Sequence, residues 1–250
     1  MSGLHEACER GDAARVKALV SAAQRDAIAL QNESGATALF VAARSGAVEC
    51  VRVLLDDAGD VCGVNARDGH QRTALFMSLS GECASAVASL LIAHPLVDVT
   101  LPDAFGVTPL HLACKTLRVD LAELLLSRCS APAFVNARTS RGATPLHWLT
   151  QQIAEARLES STDAVALVRL LLANGANCDA ADDNGVTPFA LCDNLVALKT
   201  LFADNRQRRA EESAGATSAA DAVVTVAAVS AAVKARPVVG GKKLQIKLKS

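Results

Sequence analysis

His111 and Cys114 are the residues whose types and spacing most suggest chemistry. They stand three positions apart in GVTPLHLACK, residues 106–115, and a spacing of three brings two side chains together on one face of a helix. A catalytic cysteine needs a thiol of lowered pKa and a base within hydrogen-bonding distance. The pair therefore raises two hypotheses, a thiol enzyme and a pair of packing residues.

The same two positions recur along the chain, which favours packing. His5 and Cys8 repeat the pattern near the start, and His147 is followed three residues later by Thr150. Catalytic residues ordinarily occur once in a chain, whereas packing residues recur in every structural repeat. Phosphate-loop, HExxH and GxSxG motifs do not occur, and the eight cysteines never form CxxC, which argues against a structural zinc site. We therefore predict that the protein is not an enzyme and uses no cofactor or metal.

Five threonines mark the period of this architecture. They stand 36, 35, 36 and 43 residues apart, at Thr37, Thr73, Thr108, Thr144 and Thr187. Each opens an apolar run such as ALFVAARSG or PLHLACKT, and in the first four of these units a second run such as AVECVRVLL follows. Threonine caps helix N-termini, and proline fits the first helical position. Each unit is thus predicted to be a helix, a turn, a second helix and a polar turn. A sixth copy opens the chain at SGLHEACERGD, with Ser2 in the place of threonine.

These units resemble the ankyrin repeat family, through the Gly-x-Thr-Pro-Leu-His motif, the paired leucines of the second helix, NGAN at 174–177 and the period of about 35 residues. The resemblance implies an all-α, ankyrin-repeat solenoid of stacked helix-turn-helix units with projecting turns, over residues 1–205. The units are expected at about 2–34, 35–70, 71–105, 106–141, 142–184 and 185–205, with end units that act as caps. It also implies that His111 and His147 are buried between units, where each hydrogen-bonds the neighbouring turn.

Unit five is longer than the others, since 43 residues separate its threonine from the next. We predict that its first helix is extended by Ile153, Ala154 and Leu158, and that its second helix begins at a cap within 161–163. The first interpretation of the extension is a local elaboration. The alternative is a docking element for a partner.

Charge is divided unevenly along the chain. The whole sequence has 25 basic and 26 acidic residues, but no acidic residue follows Asp221, whereas six basic residues do. The body is therefore acidic and the end basic. Residues 206–250 are predicted to be a low-complexity linker and a mostly disordered basic tail. For the tail, the alternatives are a segment, KKLQIKLK, that adds as a strand to a partner's sheet and a nuclear import signal.

The surface of the repeats carries the predicted function. In the family that the sequence resembles, partners generally meet the concave face, which is formed by the turn tips and the exposed ends of the first helices. In this chain, the residues at those positions of the middle units are largely basic, although the repeats as a whole are acidic. We therefore predict a groove for an acidic or phosphorylated segment of a protein partner. The alternative is a solvated face with scattered arginines. The candidate partner-binding residues are Arg44, Arg67, His70, Arg72, Phe105, Lys115, Arg138 and Arg141.

The predicted function is a non-enzymatic adaptor, monomeric on its own, that holds one protein on its concave face. The second hypothesis is a constitutive regulatory or assembly subunit of a larger complex, docked through the C-terminal tail. Nucleic acid is a poorer fit, because the body is acidic and aromatic residues, at 3%, are scarce. The charged N-terminus lacks a signal-peptide core, and no apolar run approaches the ~20 residues of a membrane span. We therefore predict an intracellular protein, cytoplasmic or nuclear.

Overall fold

The structure is a computed structural model of the 250-residue chain. It describes residues 3–22, 28–58, 62–81, 84–156, 161–192 and 198–211. Contacts divide the chain into two units, Met1–Phe202 and Ala203–Ser250, and each is described by itself. In the second unit, residues 203–211 are helical. Of the predicted linker and tail, 206–250, residues 206–211 belong to this helical stretch. Residues 212–250, which include the predicted tail strand and import signal, lie outside the described residues, and the division at 205 stays a prediction.

Pairs of short helices build the region Met1–Phe202. The first helices of the pairs are α1 (Gly3–Arg10), α3 (Ala38–Arg44), α5 (Ala74–Ser80), α7 (Pro109–Lys115) and α10 (Pro145–Ala156), and the second helices are α2 (Ala13–Ala22), α4 (Val48–Ala58), α6 (Ala84–Ala93), α8 (Val119–Arg128) and α11 (Thr162–Ala173). Two single turns, α9 (Pro132–Val135) and α12 (Pro188–Leu191), follow α8 and α11. The described residues contain no strand.

The helix pairs stack in sequence order. Each first helix packs against the first helix of the next pair, from α1 through α3, α5, α7 and α10 to α12. The second helices form a parallel row, in which α2, α4, α6, α8 and α11 contact one another in turn. Because the described pairs pack chiefly against their sequence neighbours, the fold is a solenoid. The predicted all-α repeat architecture is therefore confirmed for the described residues.

The threonines begin the first helices, as the sequence predicts. The hydroxyl of Thr37 accepts a hydrogen bond from the amide of Phe40 at 3.2 Å, and Thr73 and Thr187 cap their helices in the same way. Each cap satisfies an amide that the helix leaves without a partner. In the two units with the full motif, Thr108 and Thr144 lie instead 2.9 Å from Nδ1 of the histidine three residues later.

The projecting turns are stabilised within themselves and by the next turn. One oxygen of Asp68 accepts hydrogen bonds from the amides of His70 and Arg72, at 2.9 and 2.8 Å. The equivalent oxygens of four other units accept the same pair of amides, at Asn32, Asp103, Thr139 and Asp182. Adjacent tips are joined by a backbone hydrogen bond, for example from the amide of Ser140 to the carbonyl of Phe105 at 2.7 Å. The tips thus form a continuous surface with fixed spacing.

A glycine allows the close approach of neighbouring turns. Gly106 has a φ of 75°, which favours glycine, and a Cβ there would lie 2.9 Å from the carbonyl oxygen of Arg138. The same position in unit three is Gln71, with a φ of 62°. This unit therefore has a non-glycine residue in the left-handed region.

The core lies between the two rows of helices. Leu110 and Ala113 of α7 are fully buried, as are Leu125 and Ala122 of α8. Small residues on the facing sides let the short helices approach closely, which fits the alanine-rich composition. At the end of the unit, the buried ring of Phe202 packs at 6.3 Å from that of Phe189.

Unit five carries the predicted extension. Its first helix, α10, has 12 residues, whereas α3, α5 and α7 each have seven. Ile153 anchors the added turns in the core, where it is fully buried. The second helix begins at the predicted place, where the hydroxyl of Ser161 accepts a hydrogen bond from the backbone amide of Ala164 at 3.5 Å. Leu158 lies outside the described residues.

Candidate functional site

His111 and Cys114 are both fully buried inside the stack of first helices. Burial lowers the pKa of His111 to about 4 and raises the pKa of the Cys114 thiol. A reactive cysteine needs the opposite, a stabilised thiolate that solvent and substrate can reach. The pair is therefore used for packing, and Cys8, whose pKa burial raises to about 12, is equally suited to packing.

The histidines of the repeat motif, His5, His111 and His147, link neighbouring repeat units. Because the amide of Thr108 donates to Nδ1 of His111 at 3.2 Å, Nδ1 accepts and Nε2 carries the hydrogen. Nε2 then donates to the carbonyl of Ala143 in the next unit, at 3.2 Å. His147 and His5 contact the carbonyls of Val186 and Ala36 in the same way, at 3.1 and 3.0 Å. The predicted role of His111 and His147 is therefore confirmed.

Two clefts open on the face formed by the turn tips and the first helices. The first cleft has a volume of about 570 Å³ and is lined by Glu33, Ser34, Gly35, Phe40, Arg44, Asp68, Gly69, His70 and Arg72. The second cleft has a volume of about 740 Å³ and is lined by Phe105, Val107, Lys115, Thr139, Ser140, Arg141, Ala143, Trp148, Gln151, Gln152, Glu155, Asp182 and Asn184. Six of the eight predicted partner-binding residues line these two clefts.

The cations of the first cleft are paired with carboxylates. Arg72 donates to Asp68 through Nη2 and Nε, at 2.6 and 2.9 Å, and Asp68 is buried. Burial alone would raise the pKa of Asp68, but the hydrogen bonds from Arg72 and from two backbone amides hold it below its ordinary value. Arg44 lies 3.4 Å from Glu9, with both side chains about half exposed. His70 is exposed at its turn tip. Little positive charge is left for a partner here.

The second cleft differs, because its cations have no carboxylate partner among the described residues. Nζ of Lys115 lies 5.7 Å from the ring centroid of Trp148, within the range of a cation–π interaction. Arg141 is exposed at a turn tip, and its guanidinium makes no hydrogen bond or ion pair with the described residues. Phe105, at the adjacent tip, is 64% exposed. The buried ring of His111 packs against Trp148 in a T-shaped contact, with 5.3 Å between the ring centroids.

Arg67 and Arg138, the other two predicted residues, hold neighbouring turns. Nη2 of Arg67 donates to the carbonyl of Pro102 at 2.6 Å, and Nη2 of Arg138 donates to the carbonyl of Ala181 at 2.8 Å. Each residue therefore links its own unit to the next. Their part in partner binding stays a prediction.

Three features of the site escaped the sequence analysis. Trp148 and Glu155 line the second cleft, yet neither was a candidate residue. The buried Asp68, which neutralises Arg72, was also missed. A usable signal was present, because an aspartate four residues before the arginine stands at the same template position as Asp103 and Asp182.

Two further properties of the described residues bear on function. They contain no group of three or more His, Cys, Asp or Glu side chains placed to hold a metal ion. None of their helices has the length and apolar character needed to cross a membrane.

Stacked helix pairs with capped first helices and linked turn tips define a helical-repeat scaffold. A family model for ankyrin repeats, in three copies, matches residues 4–103 and 80–159, more than half of the chain. The chain belongs to the ankyrin repeat family, whose repeats are protein–protein interaction modules.

Two similar proteins are much longer than this chain. Human neurogenic locus notch homolog protein 1 is 31% identical over 160 residues, which is 64% of this chain and 6% of that protein. The E3 ubiquitin-protein ligase KEG of Arabidopsis thaliana is 32% identical over 154 residues, 56% of this chain and 9% of the ligase. The chain thus spans less than a tenth of the length of either relative.

Solved structures share the fold. An ankyrin repeat domain from Acinetobacter baumannii AYE is 26% identical, with a TM-score of 0.64 over 76% of this chain and 90% of the domain. A chain from the complex of a Bdellovibrio bacteriovorus predatory endopeptidase with an immunity protein is 24% identical, with a TM-score of 0.63 over 79% of this chain and 94% of that chain. At that identity, the second likeness shows the fold alone.

Proposed function

We propose that the protein is a non-enzymatic adaptor that binds an acidic or phosphorylated segment of a protein partner in the second cleft. The observation that carries this proposal is the state of Lys115 and Arg141. Both line an open cleft, and neither is neutralised by a carboxylate among the described residues. Arginine and lysine in this state favour carboxylate or phosphate ligands.

Exposed aromatic surface in the same cleft supports the proposal. Phe105 is exposed at the tip, and Trp148 forms part of the wall. Aromatic residues are enriched at the energetic centres of protein interfaces. A cleft that offers cations beside aromatic rings suits a protein segment better than a small anion, which would use the charges alone.

Rigid support also favours binding at this place. Thr139 and Asp182 fix the two turns that border the cleft, and His111 holds Trp148 from behind. A surface that is already ordered loses little conformational entropy on binding. The cleft is therefore suited to a partner that becomes ordered on it.

The test is affinity capture with a charge-reversed variant. The full chain and Lys115→Glu/Arg141→Glu are used to capture proteins from a lysate of the source cells, with quantification by mass spectrometry. We expect the captured amount of each specific partner to be at least about tenfold lower with the variant, because a favourable charge contact becomes a repulsive one. A parallel lysate treated with phosphatase distinguishes phosphate from carboxylate recognition.

The control variant makes the same change of net charge outside the cleft. Lys17→Glu/Arg169→Glu alters two exposed residues on the second helices α2 and α11, and it should retain the captured partners. Circular dichroism must show that both variants are folded. Equal capture by the two double variants and the parent chain would refute the proposed function.

A further inference from the structure

The extension of α10 adds a negative group to the second cleft. The added turns bring Gln152 and Glu155 into the lining, and the seven-residue first helices α3, α5 and α7 have no equivalent positions. Glu155 is exposed, and it accepts a hydrogen bond from Nε2 of Gln151 at 2.7 Å. No cation among the described residues lies within ion-pair distance of Glu155. Within the part of the chain that the structure describes, its charge is therefore left to a ligand.

Groups of opposite charge lie beside two different positions of α10 in the lining of the cleft. Lys115 places its ammonium group over Trp148, which lies seven residues before Glu155 on the same helix. Seven residues of α-helix rise about 10 Å. An extended chain covers the same distance in about three residues.

An apolar surface lies close to the positive end. Phe105 is 64% exposed at the tip on one side of the cleft, and Trp148 forms the helix side. Asp182 is the other carboxylate of the lining. Its Oδ1 accepts hydrogen bonds from the backbone amides of Asn184 and Val186 in its own turn, both at 2.9 Å. Glu155 is thus the carboxylate of this cleft that is best placed to meet a ligand cation.

From this arrangement we infer that the second cleft selects an extended segment of a protein partner that carries a negative and a basic residue about three positions apart, with an apolar side chain between them. The negative group meets Lys115 and Arg141, the apolar side chain lies against Phe105 and Trp148, and the basic residue meets Glu155. This inference rests on the proposed function and deepens it, because a purely acidic segment would leave Glu155 opposed by like charge.

The extended helix is then a specificity element. Without the added turns, the only carboxylate of the lining would be that of Asp182, which already accepts hydrogen bonds from its own turn. The cleft would then have no acidic group on α10 to favour a basic residue in the partner. With Glu155 in place, the cleft has a polarity along α10, so the order of charges in the partner becomes part of recognition.

The probe for the test is a random library of twelve-residue peptides displayed on phage, from which tryptophan is omitted. The full chain is the target, and selected peptides are synthesised for titration. Trp148 is the only tryptophan in the sequence, so a change in its fluorescence reports binding at the second cleft itself. We expect selected peptides to combine a negative and a basic residue about three apart around an apolar one.

Three variants separate the possible outcomes. Glu155→Lys should weaken the selected peptides roughly tenfold and, in a new selection, should replace the basic residue by an acidic one. Lys115→Glu/Arg141→Glu should abolish their binding. Glu123→Lys, which makes the same change on the exposed side of α8, should leave their affinity unchanged.

The failure of this inference differs from the failure of the proposed function. If acidic apolar peptides are selected without a basic residue, or if Glu155→Lys does not alter affinity, the proposed function stands and this inference is wrong. If no peptide changes Trp148 fluorescence, or if Lys115→Glu/Arg141→Glu binds as well as the parent chain, both are wrong. A fluorescence change that depends on protein concentration without peptide would assign the cleft to a second copy of the chain and would also overturn the inference.

Discussion

The two clefts use equivalent positions of the repeat, yet they offer a partner different chemistry. Arg44 and Lys115 both end a first helix, and His70 and Arg141 both stand at turn tips. In the first cleft, Arg44 faces Glu9 and the neighbouring Arg72 is held by Asp68. In the second cleft, Lys115 lies over Trp148 and Arg141 has no acidic partner among the described residues. The repeat motif determines where a side chain stands, and residues of its own turn or of a neighbouring unit determine whether its charge is paired.

The two clefts also differ in what supports them. Behind the second cleft, His111 contacts Trp148 and hydrogen-bonds Ala143. The equivalent position in the first cleft is Phe40, whose ring lies 5.9 Å from the guanidinium of Arg72. A titratable group therefore stands behind one cleft and an inert ring behind the other. This difference can be tested with acid.

Acidification should destabilise the repeats around the second cleft more than those around the first. His111 has a pKa of about 4 in the folded chain and an ordinary value of 6.5. Between these values the unfolded chain binds a proton that the folded chain does not, so the free energy of unfolding falls as the pH falls. At pH 5 the expected loss is about 2 kcal/mol relative to pH 7.5. His147 acts in the same direction, because burial lowers its pKa too.

Urea unfolding of the full chain and His111→Gln, followed by Trp148 fluorescence at the two pH values, measures this loss. The parent chain should lose about 2 kcal/mol more than the variant. Hydrogen exchange should show that α7 and α10 lose more protection at pH 5 than α3 does. An identical pH dependence in both proteins would contradict the buried, neutral state of His111.

Neutralising one arginine from each cleft should have unequal effects on stability. Arg72→Gln removes two charge-assisted hydrogen bonds from a buried carboxylate, and we expect a loss of about 1–2 kcal/mol at pH 7, where Asp68 is ionised. Arg141→Gln changes an exposed side chain that has no acidic partner in the described segments, and its effect should stay within about 0.5 kcal/mol. Urea unfolding of both variants gives the comparison, and equal losses would mean that the two clefts do not differ as described.

Much of the fold follows from the sequence because its signals are local and repeated. Thr108 and Pro109 specify the start of a helix, and the period of about 35 residues specifies the stack. The role of His111 was predictable from the resemblance, because the same motif recurs at His147. The longer first helix of unit five was predictable from Ile153, which continues the apolar face of the helix beyond the usual end.

The state of the charges in the site was only partly predictable, because most of it depends on contacts between units. For Arg72 a signal was present within its own turn, in the aspartate four residues before it, which the arginine reaches. Arg67 reaches a carbonyl 35 residues away, at Pro102. The pair of Glu9 with Arg44 could have been found by comparing equivalent positions in adjacent units. The contact of Lys115 with Trp148 joins different positions of the template and needed the structure.

The turns that border the two clefts should differ slightly in strain. Gly142 has a φ of 74° at the second cleft, and Gln71 has a φ of 62° at the equivalent position beside the first. An L side chain in this region costs roughly 1–2 kcal/mol, whereas glycine loses about 0.5–1 kcal/mol of conformational entropy on folding. Gln71→Gly should therefore raise the free energy of unfolding by about 0.5 kcal/mol.

Gln71→Ala is the matched control for this substitution. Both variants lose the hydrogen bond from Nη1 of Arg67 to Oε1 of Gln71, which is 3.0 Å long, but only alanine keeps the strain. The expected order of stability is glycine, then the parent glutamine, then alanine, as measured by urea midpoints. If alanine proves as stable as glycine, the strain of a side chain at this position is no greater than the conformational entropy that glycine loses there. The turns beside the two clefts would then be equivalent in stability.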